Sequence, residues 1–159
     1  MNTNNMLGKI KRVLGIEGVK VEMDIKMPID KVAKEVTGRL KFTTKSESVV
    51  KSVAIKIVEK YARGRGKDKL VDEYTIAVLD LDESFVISPE EIVELPFTIE
   101  YDFTLSEMDR IARDNLISRP FIGLAKLIRK VKSSFTVIAE ANVDGTTLSP
   151  YAKEQVELK

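Results

Sequence analysis

The sequence predicts a mainly β protein with the architecture of a single two-sheet antiparallel β-sandwich. Apolar and polar residues alternate in about eight short segments, most of them separated by short turns, as in antiparallel sandwiches and barrels. The 159 residues are 43% hydrophobic and 32% charged, which suits one globular domain with its own core. The chain contains no Cys and no His, so disulfides and metal sites built on thiolate or imidazole are excluded.

The first half of the chain contains four predicted strands. Strict alternation over 19–27 and 36–43 predicts two half-buried strands, with Pro28 ending the first. Residues 51–79 form a long predicted hairpin, whose return strand is marked by Tyr74, Ile76 and Val78. Its loop, 63–69, contains two glycines and four basic residues and no apolar residue.

The second half supplies the other strands. Residues 85–87 form a short strand before Pro89, and residues 93–101 form the next. Pro96 implies an edge strand or a bulge, because proline cannot donate to the ladder. Alternation over 135–143 predicts a further strand, and Asp144-Gly145 turns the chain toward a last strand that contains Val156.

Two segments change to helical spacing. Residues 1–15 carry apolar side chains at helical intervals, interleaved with basic ones, and predict a short N-terminal helix that ends at Gly15. Residues 104–132 predict a helical insertion, because Thr104 and Glu107 form a capping box and Pro120 can begin a second helix. We therefore expect one domain, 1–159, with a basic N-terminal helix and an insertion near 104–132.

Composition places few limits on partners. Lys plus Arg is 26 and Asp plus Glu is 25, so the net charge of +1 favours no polyanionic partner. The N-terminus has no signal-peptide pattern, and no run approaches the roughly 20 apolar residues of a membrane span. We expect a cytoplasmic protein, with peripheral contact at the inner face of the membrane as the alternative.

Several segments resemble one bacterial family. Val36-Thr37-Gly38-Arg39-Leu40 is similar to the second strand of arrestin-type lobes. Residues 87–99, with Pro96-Phe97, resemble a further signature of that fold, and residues 137–158 resemble its closing strands. This is the pattern of the sporulation-control (SpoOM) proteins, and it covers about residues 7–103 and 133–159. The resemblance implies an arrestin-like, immunoglobulin-like sandwich, and it leaves the region that follows this lobe in the family outside the sequence.

Arrestin-like lobes act as adaptors, so the resemblance implies a non-enzymatic regulatory protein that binds a protein partner. No catalytic residue, cofactor or metal site is assigned. Pairing at an exposed strand edge and docking of an apolar helical face are both expected mechanisms. The contacts predicted for docking lie in the insertion, where basic residues steer the partner; they are Phe121, Leu124, Ile128, Lys126, Arg129 and Lys130.

Other functions stay open at this point. A membrane-surface module could use basic amphipathic helices, and the predicted anionic-surface residues are Lys9, Lys11, Arg12, Arg63, Arg65 and Lys67. An apolar strand followed by Asp80 and Asp82 is weakly similar to the nucleophile loop of metal-dependent phosphatases. Nucleic acid is a poor fit, because no aromatic residue flanks the basic loop closer than Tyr61 and Tyr74. A homo-oligomer is compatible with every one of these readings.

Overall fold

The computed structural model describes residues 18–27, 29, 33–63, 70–101 and 132–157, without the side chains of Arg63, Lys132 and Ser133. These residues form eight β-strands. In chain order the strands are β1 (Lys20–Ile25), β2 (Glu35–Thr43), β3 (Ser48–Arg63), β4 (Leu70–Leu81), β5 (Phe85–Ile87), β6 (Val93–Glu100), β7 (Lys132–Val143) and β8 (Tyr151–Val156). The predicted antiparallel, mainly β architecture is confirmed.

The strands form two sheets. One has three strands in the order β1-β2-β6, and the other has β4-β3-β7-β8 with β5 also paired to β3. Every pairing is antiparallel. Beside β1 lies β8, and there the amide of Ile29 donates to the carbonyl of Glu157 at 3.1 Å. This bond ties the two sheets together along one side.

Alternation along the strands builds the core between the sheets. The largest fully buried side chains include Leu40 and Phe42 of β2 and Ile55 and Ile57 of β3. Phe42 meets Phe85 of the other sheet edge-on, with ring centroids 5.2 Å apart and an interplanar angle of 70°. Such edge-to-face pairs add to the stabilisation that burial itself provides.

Two bulges interrupt the pairing of β3. Opposite the step from Ile57 to Val58, β4 carries one extra residue, Ile76, between Ala77 and Thr75. In the pairing with β7, the extra residue is on β3 itself: Lys51 lies between Val50 and Ser52, which pair with the adjacent β7 residues Val143 and Asn142. A bulge changes which face the following residues occupy. Ala77 therefore pairs with buried Ile57, and Val78 is 59% exposed on the opposite face.

Val78 departs from the simple alternation that the sequence of β4 predicts. Simple alternation places it on the same face as Tyr74 and Ile76, which are both half-buried. The extra residue in β4 breaks that alternation and turns Val78 away from the core. By contrast, the prediction for Pro96 is confirmed, because β6 pairs only with β2 among the described strands and Pro96 lies opposite Arg39.

The two predicted helical segments lie outside the described residues. This applies to the N-terminal helix, 1–15, and to the insertion up to residue 131. The final residue of the predicted insertion, Lys132, is the first residue of β7.

Close packing explains the glycine in the second strand. Gly38 lies opposite Ile25 on one side and Phe97 on the other. A β-carbon on Gly38 would lie 2.6 Å from Cζ of Phe97 and 2.8 Å from the carbonyl oxygen of Asp24. The phenyl ring thus occupies the space that a side chain would need, a known arrangement for glycine in sheets.

Replacement of this glycine tests the packing. We expect Gly38→Ala to lower the free energy of unfolding by about 1–3 kcal/mol, because the new methyl group overpacks the site. In a Phe97→Leu background the added loss should be smaller, since the ring atoms nearest to position 38 are gone. Urea unfolding of the four chains measures the coupling. Strictly additive losses would contradict a clash with the ring.

The bulge residue Lys51 provides a second test. Its Nζ lies 2.6 Å from Oδ1 of Asp144, and the hydrogen bond and charge of Lys51 lower the pKa of the Asp144 carboxyl below its ordinary value. A lowered folded-state pKa stabilises the fold above the unfolded-state pKa, and this contribution disappears as the pH falls through the folded-state pKa. In Lys51→Met, carboxyl NMR titration should show the Asp144 pKa moving up toward its ordinary value. An unchanged titration curve would refute the pairing.

Candidate functional site

The structure places none of the sequence-predicted docking residues. Phe121, Leu124, Lys126, Ile128, Arg129 and Lys130 all lie outside the described residues. Lys9, Lys11, Arg12, Arg65 and Lys67, predicted to meet an anionic surface, lie outside them too. Arg63 is the last residue of β3, and its side chain is not described.

The arrangement around Asp80 differs from a phosphatase site. Asp80 is exposed on β4, which runs antiparallel to β3, whereas the nucleophile of such enzymes follows a parallel strand that leads into a helix. Here the chain continues through Asp82 into another strand, β5. Among the described residues no group of three or more acidic side chains is placed to hold a metal ion. The geometry therefore gives no support to carboxylate and metal chemistry at this turn.

The outer face of the three-stranded sheet, here called the polar face, is built of polar and charged side chains with Pro96 as the exception. It carries Lys20, Glu22, Asp24, Glu35, Thr37, Arg39, Lys41, Thr43, Glu94, Thr98 and Glu100. Arg39 contacts Glu94 at 3.0 Å, Lys41 lies 3.8 Å from the same carboxylate, and Lys20 pairs with Glu22. This face satisfies much of its charge within itself and presents an ordinary solvated surface.

The outer face of the five-stranded sheet is different, and we call it the mixed face. Register brings apolar side chains from all four long strands onto it: Ala54, Val58 and Ala62 from β3, Val71 and Val78 from β4, Ile138 from β7 and Tyr151 from β8. Tyr151 is 62% exposed and Val71 is 46% exposed. Scattered apolar residues are normal on a protein surface, whereas a set that shares one sheet face is a candidate contact region.

Charged residues on the mixed face form two adjacent rows across the strands. Asp80, Ala54, Glu140 and Tyr151 lie opposite one another in the first, called the acidic row. Val78, Lys56, Ile138 and Lys153 form the second, called the basic row. Among the described residues, no ion pair involves the two acids of the first row or the two lysines of the second.

An ion pair between directly opposed residues lies further along the same face. Lys60 Nζ lies 2.8 Å from Glu73 Oε1, and the hydrogen bond from Lys60, followed by its charge, lowers the pKa of Glu73. Both groups are more than half exposed, so this pair contributes little to stability. Its geometry nevertheless shows that directly opposed charges pair on this face, whereas the charges of the acidic and basic rows are offset.

A signal for the mixed face was present in the sequence. The segments Val53-Ala54-Ile55, Ile57-Val58 and Val137-Ile138-Ala139 interrupt strict alternation with consecutive apolar residues. Runs of this kind are typical of strands that are covered on both faces. The alternate apolar residues are enough to predict the strands, and the additional apolar residues between them are the signal for the mixed face.

The free edge of β4 is a less favourable site than the mixed face. Within the described residues β4 pairs with β3 alone, which leaves the other edge of a 12-residue strand open. The extra residue Ile76 interrupts that edge, and Asp72, Glu73 and Asp80 are spaced along it. Bulges and charges are the devices by which proteins discourage strand addition.

No helix in the described ranges is long and apolar enough to cross a bilayer.

The fold and the mixed face together define a class, a two-sheet antiparallel β-sandwich that presents an apolar sheet surface. The family follows from comparison with known proteins. The family model described as SpoOM protein matches residues 7–106, and the chain belongs to that family.

Solved structures agree with this assignment at the level of fold. The crystal structure of Spo0M, sporulation control protein, from Bacillus subtilis is similar to this chain with a TM-score of 0.57 and 15% sequence identity. The match covers 89% of this chain and 49% of that one, so the chain spans about half the length of that protein. The search of curated proteins found no match.

Two neighbouring residues of β7 test the assignment of faces. Val137 is fully buried, whereas Ile138 is half-buried on the mixed face opposite Lys56. We expect Val137→Glu to cost more than about 4 kcal/mol of unfolding free energy, because it buries a carboxylate. In dilute protein, Ile138→Glu should cost less than about 1 kcal/mol, since its carboxylate lies beside an ammonium group. Chemical denaturation measures both, and similar large losses would mean that the mixed face is covered within the chain.

Proposed function

We propose that this protein is a non-enzymatic regulatory adaptor that acts through protein–protein interaction, in a role similar to that of sporulation-control proteins. Family membership supports the regulatory role, as the Bacillus subtilis relative is described as a sporulation control protein. The observation that carries the interaction is the difference between the two outer faces. One is polar with internal ion pairs, and the other combines exposed apolar residues with two rows of charges that pair with no residue in the described part of the chain.

Physical considerations favour a protein as the occupant of the mixed face. Val78 and Tyr151 each keep more than half of their surface in water, and covering such side chains releases free energy in proportion to the area buried. Aromatic and branched side chains surrounded by polar groups are the usual anchors of protein interfaces. The lysines of the basic row can lay their aliphatic stems along the apolar residues and keep their ammonium groups at the rim.

An anionic membrane is a weaker candidate for this face. Lys56 and Lys153 are balanced by Asp80 and Glu140, so the two rows carry no net charge. Attraction to anionic lipid requires an excess of basic residues near the surface. The membrane-surface alternative depends on the predicted basic segments, which lie outside the described residues.

Affinity capture with a matched control tests the proposal. The tagged wild-type chain is compared with Val78→Glu/Ile138→Glu, in which both new carboxylates lie opposite Lys56. We expect the variant to lose specific protein partners that the wild type captures from lysate of its own cell. Each partner is then purified and titrated, and the variant should bind at least about tenfold more weakly.

The control variant is Thr37→Glu/Thr43→Glu on the polar face. It adds the same two charges, with position 43 opposite Lys20 and position 37 beside the backbone of Lys26. Binding should be retained in this variant, and circular dichroism confirms that both variants are folded. Equal losses in both variants, or no specific partner for any chain, would refute a role for the mixed face.

A further inference from the structure

We propose that the partner of the mixed face is a second copy of this chain, packed face to face about a twofold axis. This inference rests on the proposed function and names the partner at the same site. Two independent features of the described residues support it: the arrangement of the charged rows, and the size of the face.

The charges of the mixed face are self-complementary. An isologous contact places the same patch on both copies, so each charge must meet an opposite charge of the same patch. A twofold axis that lies in the contact plane, across the strands and between the two rows, superposes the basic row of one copy on the acidic row of the other. Each Lys56 then lies over Ala54 of the second copy, between Asp80 and Glu140 of that copy.

The same operation pairs the remaining members of the rows. Lys153 lies over Tyr151 of the second copy, where an ammonium group can contact the face of the phenol ring. The Lys60–Glu73 pair lies far from the axis and comes near the outer residues Val49, Lys51 and Val86 at the start of β3, where the charge of Lys51 is already paired with Asp144. No two like charges of the rows are superposed. A face with an excess of one sign would repel its own copy, and this one does not.

The polar face of the other sheet lacks this property. Its outer residues comprise three basic side chains, Lys20, Arg39 and Lys41, and five acidic ones, Glu22, Asp24, Glu35, Glu94 and Glu100. Several of these charges are already paired within the face. The excess of acidic groups and the scarcity of apolar residues disfavour self-association there, so the prediction is specific to one side of the sandwich.

The mixed face is also large enough for a stable contact. The strands β3, β4, β7 and β8 have 16, 12, 12 and 6 residues. With a rise of about 3.3 Å per residue and a spacing of about 4.8 Å between strands, they give a flat area of roughly 700 Å². Side-chain relief raises the accessible area above the flat value, and stable interfaces bury roughly 800 Å² per partner. Two sheets stacked roughly 10 Å apart with nearly aligned strands are a common packing arrangement. Val58, Val78 and Ile138 would then become interior residues.

Charge exchange between the rows provides the test. Lys56→Glu/Lys153→Glu makes both rows acidic, and Asp80→Lys/Glu140→Lys makes both rows basic. The wild-type chain of 159 residues should sediment as a dimer, at twice the 17.9 kDa of one chain, as its concentration rises from micromolar to millimolar. Each variant alone should have its dimer dissociation constant raised by about tenfold or more. An equimolar mixture of the two variants should restore a dimer that contains one copy of each.

Restoration in the mixture shows that neither variant has lost its fold. A wild type that remains monomeric throughout this range would overturn the inference, and so would a dimer that neither variant weakens. Failure of the mixture to associate, with both variants folded, would overturn the proposed alignment of the rows. A monomeric wild type that still loses a captured protein through Val78→Glu/Ile138→Glu would leave the adaptor function standing without the dimer.

Discussion

Backbone pairing along β3 is the constraint on which the rest of this structure depends. β3 pairs with β4 and β5 along one edge and with β7 along the other, so it joins most of the larger sheet. Its register assigns every neighbouring side chain to the core or to the outer face. A slip of one residue would exchange Val137, now fully buried, for half-buried Ile138, and would disrupt both surfaces of the sheet at once.

The bulges in the pairings of β3 determine the core surface and the outer surface of the sheet together. Ile76 is the extra residue of the bulge in β4, and it places Val78 on the mixed face instead of the inner face that simple alternation gives. Lys51 is the extra residue of the bulge near the start of β3, where its ammonium group contacts Asp144. Because bulges reposition side chains without ending a strand, they let one sheet present both a continuous core surface and a patterned outer surface.

Sequence patterns predicted most of the fold but little of the site. Alternation around Val21, Leu40 and Phe97 located strands whose bounds agree with the structure to within a few residues. Pro96 correctly indicated an edge strand, and the Gly38 segment and the Pro96-Phe97 pair indicated the family. The contacts expected around Leu124 and Ile128 stay predictions, because they lie outside the described residues. The mixed face was missed, since its apolar residues belong to four strands that are distant in the sequence.

The amino-acid sequence alone specifies the strands, the restriction of Pro96 to an edge strand or a bulge, and the family, because each depends on residues a few positions apart. Period-two alternation is a local property, and so is the missing amide of proline. The identity of the neighbouring strands, the place of each bulge and the alignment of Lys56 between Val78 and Ile138 depend on pairing across long stretches of chain. Those pairings are determined by the packing of the whole core, and the mixed face exists only when they have formed.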